Sequence, residues 1–391
     1  MSSLPPELVL MIVGIVADSN VTSDLLACTS TCRQWNAASR PVIFRHITIK
    51  SERQLQPLAE CLKEPNMKSW ICHFRIDARG YRRSQQSWVL QVFDILHTYG
   101  PFPRIQKLDL FGVYETPDYG THPDLFTTKL ASLSSVTSLR ILETALPHTL
   151  LRSYASSFPH LEHLDILRSK TSIFGIYMPI ENPDLALKSF KFVDDHGETD
   201  TEILRWISTT KSKETLQALD IDYSISRHRL RVHRFITSPG FHITDLNLSS
   251  NVVNDDRIWT PQSASVFSAL RTITFQTIPT SPSSKFLGLL PSPELLRSIR
   301  YETRRKHILV TSVWFSARCL EEVPLDRFPN LEEVVFDEGR ERREDSEGPK
   351  IPFWMTRLQK LHPELDKKGL FRHVYSPRYE IPGSWDRWER E

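Results

Sequence analysis

One short apolar pattern recurs through most of this chain and restricts it to a repetitive, layered architecture. The pattern is apolar-x-x-apolar-x-apolar, first at Phe44–Ile47–Ile49 and Ile71–Phe74–Ile76 and last at Leu331–Val334–Phe336. Eleven copies begin at positions 44, 71, 105, 139, 161, 187, 216, 243, 270, 296 and 331, so successive starts lie 22 to 35 residues apart. The fourth copy, Leu139–Leu142–Thr144, ends on a polar residue and is the weakest. Within each copy the last two apolar positions are two apart, the spacing that puts side chains on one face of a strand. The intervening segments read as helices. Ser87 is placed to cap WVLQVFDILHTY, which stops at Gly100, Thr149 to open LLRSYASSF, and Asp200 to cap TEILRWIST with its stripe of Ile203, Leu204 and Ile207. A lone strand–helix unit cannot bury its apolar face, whereas stacked units can.

The spacing and the hexad resemble leucine-rich repeats, which run about 20–29 residues with one short strand each. Only ITDLNLSSNVV carries the asparagine that follows the strand in the standard repeat, at Asn251, so the array is an irregular one. The resemblance implies an α/β fold: a curved solenoid with parallel strands on its concave face. Eleven strands at about 4.8 Å spacing give a surface about 50 Å long, ample for a protein ligand. Near its start this surface would show His46, Lys50, His73, Arg75 and Lys107, and further along Asp220, Asp222 and Asp245. Arg75 and Lys107 at one end and the three aspartates at the other are therefore the candidate substrate-binding residues. Patches of opposite sign suit a polar, charge-matched ligand; charge that merely keeps a strand face soluble accounts for them equally well.

Ahead of the repeats, Leu8 to Ala17 reads LVLMIVGIVA, with Pro5, Pro6 and Glu7 before it. Prolines at the first helical positions and an acid in the first turn are helix start signals. Ten residues give about 15 Å of helix, far short of a bilayer. A helix apolar all round must be covered all round. Leu8, Ile12, Ile15 and Val16 are expected to pack on two following helices, Ser23–Thr29 and Thr31–Ala38, leaving Val9, Met11 and Val13 to a partner.

Leu4, Pro5, Glu7, Leu8, Ile12, the pair Leu25 and Leu26, Cys32, Arg33 and Trp35 stand in the order of an F-box, and the segment resembles that family. It departs from the family's pattern in Thr31 before Cys32 and in a long first loop, Asp18 to Ser23. The resemblance implies a three-helix unit that docks on the Skp adaptor of Skp–cullin–F-box ubiquitin ligases, while the rest of the chain captures a protein substrate. Carried over residue by residue, the adaptor contacts are Leu4, Pro5, Leu8, Ile12, Leu25, Cys32 and Trp35. The division expected is 1–44 for the F-box, 45–337 for the repeats and 338–391 for a charged loop and C-terminal cap. The cap would be built on Phe353, Trp354, Phe371, Tyr375, Trp385 and Trp388.

Forty-nine basic against 47 acidic residues leave a charge of +2, which offers no general reason to expect nucleic acid or anionic lipid as partner. No basic residue precedes Arg33, against a secretory signal, and no apolar run reaches a membrane span. Five scattered cysteines point to a reducing compartment, hence cytoplasm or nucleus. Phosphate loops, nucleophile elbows and H-E-x-x-H helices are missing. Cys28 and Cys32 lie a helical turn apart, without the second pair a zinc site requires, and are expected to be small buried core residues. His160 and His163, three apart on an expected strand, would point to opposite faces. The basic run Arg227–Arg234 suits a solvated face better than a phosphate site. No enzyme, cofactor or metal is expected; the alternative to a ligase subunit is a non-catalytic repeat scaffold without a role in ubiquitin transfer.

Overall fold

The computed structural model describes residues 4–18, 22–114, 128–144, 146, 148–168, 183–194, 202–223, 229–238, 240–253, 259–276, 281–302, 324–337 and 353–374. It is a mixed α/β structure: an N-terminal helical region, then parallel strands in chain order. The chain forms two compact units, Met1–Ser212 and Lys213–Glu391.

The first unit opens with α1 (Pro6–Asp18), α2 (Thr22–Thr31) and α3 (Arg33–Ile43). The Pro5 carbonyl accepts the Leu8 and Val9 N–H groups at 3.1 and 3.2 Å, so the helix starts where the prolines place it. Six strands follow: β1 (His46–Ile49), β2 (His73–Asp77), β3 (Lys107–Phe111), β4 (Ser138–Leu142), β5 (His163–Leu167) and β6 (Ser189–Asp194). Each is parallel to its predecessor, with Phe74 beside Leu108, Leu108 beside Leu139, Leu139 beside Leu164 and Leu164 beside Phe190. The second unit repeats the plan with β7 (Ala218–Tyr223), β8 (Asp245–Ser249), β9 (Thr272–Gln276), β10 (Ser298–Glu302), β11 (Glu333–Asp337) and β12 (Phe371–Val374).

The repeat is written in the backbone as well as in side chains. Within each unit, at the steps from β1 to β6 and from β7 to β11, one carbonyl accepts two successive N–H groups from the next strand's entry. Arg45 O takes Cys72 and His73, Cys72 O takes Gln106 and Lys107, and Gln106 O takes Thr137 and Ser138. The second unit shows the same device at Gln217, Thr244, Arg271 and Arg297. The pattern corrects the fourth hexad: in register with Ile105–Leu108–Leu110 stands Val136–Leu139–Ile141, every member fully buried, not Leu139–Leu142–Thr144. Leu142 is also apolar and three residues on, which is why the sequence reads in the wrong frame. The first hexad is looser, with Phe44 and Ile47 only half-buried. A twelfth strand, β12, escaped the sequence because His373 stands beside Phe336, where an apolar residue is expected.

Helices complete the layers. The helix Ser87–Tyr99 buries Trp88, Val89, Val92, Phe93 and Leu96, and Phe93 meets Tyr154 of the helix His148–Ser156 at 6.5 Å. The N-terminal cap of the helix Ser87–Tyr99 is Gln86, not Ser87. Its side chain donates 2.8 Å to Gly112 O and accepts 2.8 Å from Tyr114 N–H, tying the helix start to the end of β3. Ile203, Leu204 and Ile207 are buried on the helix Glu202–Ser208, as the stripe predicts, whereas Asp200 lies outside the described residues. Asn251 lies in the helix Ser250–Val253 directly after β8. The charged loop 338–350 also lies outside them, as do Tyr375, Trp385 and Trp388 of the expected C-terminal cap. Phe353 and Trp354 open the helix Phe353–Leu361, and Phe371 is buried on β12.

Three neighbouring strands of the first unit leave the sheet through a left-handed residue at one register position: Gly112 (φ 63°), Glu143 (φ 54°) and Arg168 (φ 52°). Glycine takes this conformation freely; other residues lose roughly 1–2 kcal/mol. A Cβ on Gly112 would lie 2.7 Å from Arg79 N. Glu143→Gly is therefore expected to raise unfolding stability by about 0.5 kcal/mol and Gly112→Ala to lower it by more than about 1 kcal/mol. Thermal melts of both variants check the opposite signs.

Candidate protein-interaction surfaces

The helical region has a small core and a large apolar exterior. Val9 and Val13, one turn apart on α1, are buried with Leu25 of α2, and Val16, Ala17, Trp35, Ala38, Val42 and Ile43 pack around them. This reverses the faces expected from the sequence: Leu8 and Ile15 point outward and Val9 and Val13 inward. An all-apolar helix carries no periodicity that marks its inner side. The outward set is Leu4 (45% exposed), Leu8 (40%), Met11 (56%) and Ile15 (63%), spaced four, three and four apart along one stripe, and Leu10 and Leu26 are exposed as well. The Leu4 carbonyl accepts 3.1 Å from Gln34 Nε2, which holds the head of the stripe against α3.

Among the predicted adaptor contacts, Leu4, Pro5 and Leu8 are exposed, and Ile12 is half-buried. Leu25 belongs to the small core, and Trp35 packs on it. Cys32 is exposed at the junction of α2 and α3 and Cys28 half-buried, so the expectation that both are buried core residues does not hold. Leu10, Met11, Ile15 and Leu26 complete the exposed set. Of these only Met11 stands out in the sequence as uncovered.

The helical region is clamped to the segment that joins β1 to β2. Arg40 Nη2 donates to both carboxylate oxygens of Glu64 at 2.7 and 2.8 Å and lies 5.9 Å over Trp70, on which Phe44 stacks.

On β1 to β3 the exposed-side positions form aligned rows. His46, His73 and Lys107 stand side by side, as do Thr48, Arg75 and Asp109. Asp109 is buried, and its Oδ2 receives His73 Nε2 at 2.9 Å and Arg75 Nε and Nη2 at 3.0 and 2.8 Å. Burial works to raise its pKa, but the hydrogen bonds and charges of His73 and Arg75 outweigh it and hold the carboxyl below the ordinary range. Arg75 also lies 4.7 Å over the Phe111 ring, and Arg79, paired with Asp77 at 2.8 Å, lies 5.1 Å over it. The row continues with alternating sign: Arg140 meets Asp165 at 3.0 Å, and Lys191 stands beside Asp165. The structure thus brings Arg75 and Lys107 onto neighbouring strands.

The three candidate aspartates share a unit but not one rung. Asp220 stands beside Asn247, and Asp245 beside Ala218, two residues out of step. Asp222 is buried, and Asp245 is exposed and accepts 2.7 Å from Thr244 Oγ1. His163 opens β5, but His160 precedes the strand, so they are not two positions of one strand. Among the described residues, no group of three His, Cys, Asp or Glu side chains is arranged to hold a metal, and no helix is long and apolar enough to cross a membrane.

Residues 1–50 match the family model for F-box-like domains. The helical region is thus an F-box-like domain, and the match ends one residue past β1. No curated protein matches the chain.

Asp109 has a depressed pKa, so its contribution to stability is complete above the unfolded carboxylate value of about 3.9 and is lost as pH falls through its lower folded value. Asp109→Asn is expected to cost about 2 kcal/mol at neutral pH and to flatten the stability profile in acid. Urea titrations across pH read both effects.

Proposed function

We propose that this chain is the substrate-recognition subunit of a Skp–cullin–F-box ubiquitin ligase and has no active site of its own. The observation that carries the reading is the Leu4–Leu8–Met11–Ile15 stripe on an F-box-like domain whose own core is already filled by Val9, Val13 and Leu25. Apolar side chains so exposed at regular spacing fit a protein groove better than water. The Skp-type adaptor is the partner that F-box-like domains typically take. Leu4, Leu8, Met11, Ile15 and Leu26 supply the apolar contact, with Pro5, Ile12 and Cys32 at its margin.

Behind it, the strands are read as an irregular leucine-rich-repeat solenoid, with residues 45–337 as its extent and the segment beyond as its cap. Support comes from the recurrent hexad, the chain-order parallel pairing and the shared carbonyls. Its strand face would hold a protein substrate, with Arg75 and Lys107 or Asp220, Asp222 and Asp245 as contacts. The mechanism is effective concentration: one end grips the ligase and the other keeps the target beside it. Ubiquitin chemistry belongs to the other subunits.

Leu8→Asp with Met11→Asp is expected to abolish capture of the Skp adaptor and cullin in co-purification, with circular dichroism unchanged. Val9→Asp, which places a charge in the small core, is expected to unfold the helical region by about 3 kcal/mol or more. Undiminished adaptor capture by the double variant would overturn the reading.

A further inference from the structure

The exposed-side rows of the first unit are balanced in charge except at one end. On β4 to β6, Arg140 pairs with Asp165 and, just ahead of the strands, Glu162 with Lys188 at 2.7 Å. On β1 to β3 the only carboxylates are Asp77 and Asp109, and both are committed, to Arg79 and to His73 with Arg75. Arg45, His46 and Lys107 remain exposed around them, and no ion pair joins any of the three to a carboxylate among the described residues. The His46 pKa is lowered by its partial burial and then by the neighbouring charges of His73, Arg45, Lys107 and Arg75.

A second feature lies at the other end of the same strands. Directly after β1, the turn Ser51–Arg53 and the segment before the helix Ser87–Tyr99 form an open cavity of about 580 Å³ lined by Arg53, Tyr81, Ser87 and Trp88 among others. Trp88 is 1% exposed, and its Nε1 donor meets no acceptor among the described residues. Lys50 and Arg53 flank this end; its carboxylates are Glu52 and Asp77, the latter paired with Arg79. The wall offers the Arg53 guanidinium and the hydroxyls of Ser51, Tyr81 and Ser87, a set suited to an oxygen acceptor, while the Trp88 Nε1 is itself buried.

We infer that β1 to β3 and this cavity form a binding strip for an acidic, extended segment of the recruited protein. One anionic group meets Arg45, His46 and Lys107, and another enters the cavity beside Arg53, Tyr81 and Ser87. The inference rests on the reading of the strand face as the recruiting surface and names the chemistry of what it takes. From His46 to Lys50 the strand advances about 13 Å, the reach of about four extended residues. The anion is a carboxylate or a phosphate; both satisfy the same donors. A peptide is favoured over nucleic acid because the excess charge is local and the chain as a whole carries only +2.

The test uses the full chain co-purified with its Skp adaptor and three fluorescent probes: an oligoglutamate peptide, its phosphoserine counterpart and single-stranded oligouridylate RNA. Anisotropy is expected to show peptide binding that weakens with salt. Arg45→Glu with Lys107→Glu is expected to weaken it at least tenfold, and Arg53→Glu at the cavity about threefold to tenfold. Arg45→Lys with Lys107→Arg, which conserves charge, and Arg234→Glu in the other unit are expected to bind as wild type. Tight binding of either peptide supports the strip, and the tighter one identifies its anion. Equal affinity of wild type and the Arg45→Glu, Lys107→Glu variant, binding of neither peptide, or RNA binding tighter than both would overturn it. Adaptor capture is measured on the same samples, so its loss with peptide binding intact counts against the ligase reading alone.

Discussion

Everything behind the helical region hangs on one backbone device, the carbonyl that accepts two successive N–H groups from the next strand. Repeated from Arg45 to Cys72 to Gln106 and onward, it passes the register from strand to strand. A one-residue slip would send Phe74, Leu108 and Leu164 to the exposed face, so register and burial enforce each other. No single strand and helix here could bury its apolar side alone; each is stable because its neighbour is in step.

The same logic explains why the two faces of the strands differ in chemistry. The inward positions are apolar, with His373 of β12 the exception. From β2 to β6 one outward row alternates in sign, Arg75, Asp109, Arg140, Asp165 and Lys191, so opposite charges stand one strand, about 4.8 Å, apart. Asp109 is the most committed of them: its Oδ2 is approached by three nitrogens, which is what allows a carboxylate to be buried beside Phe111. Beside that row, on β1 to β3, the row of His46, His73 and Lys107 does not alternate, and its uncompensated charge is a property of the surface rather than of the fold.

The F-box-like domain makes the opposite compromise. Its core is only Val9, Val13 and Leu25 with a shell of half-buried neighbours, and it leaves more large apolar side chains outside than inside. Such a domain is small for its apolar content, and the clamp of Arg40 on Glu64 and Trp70 joins it to the larger body. The exposed stripe and the fastening are complementary: one is available to a partner because the other holds the helices in place.

The sequence by itself determined the element types, the strand positions of most repeats, the helix from Ser87 to Gly100 and the apolar character of the N-terminal helix. These follow from local periodicity, start and stop signals, which act within a few residues. The tertiary structure decided which side of α1 faces inward, since a helix apolar all round has no local mark of its inner face. It also decided the frame of the fourth repeat, where Leu142 imitates a core position and only pairing with β3 distinguishes it from Leu139. It decided that His373 completes a twelfth strand, and that Asp245 falls two residues out of step with Asp220. Arg75 and Lys107 are legible as candidates because strand alternation is local. Their relation to His73 and Asp109 across the strands is not, because it depends on side chains more than thirty residues apart being brought together by parallel pairing.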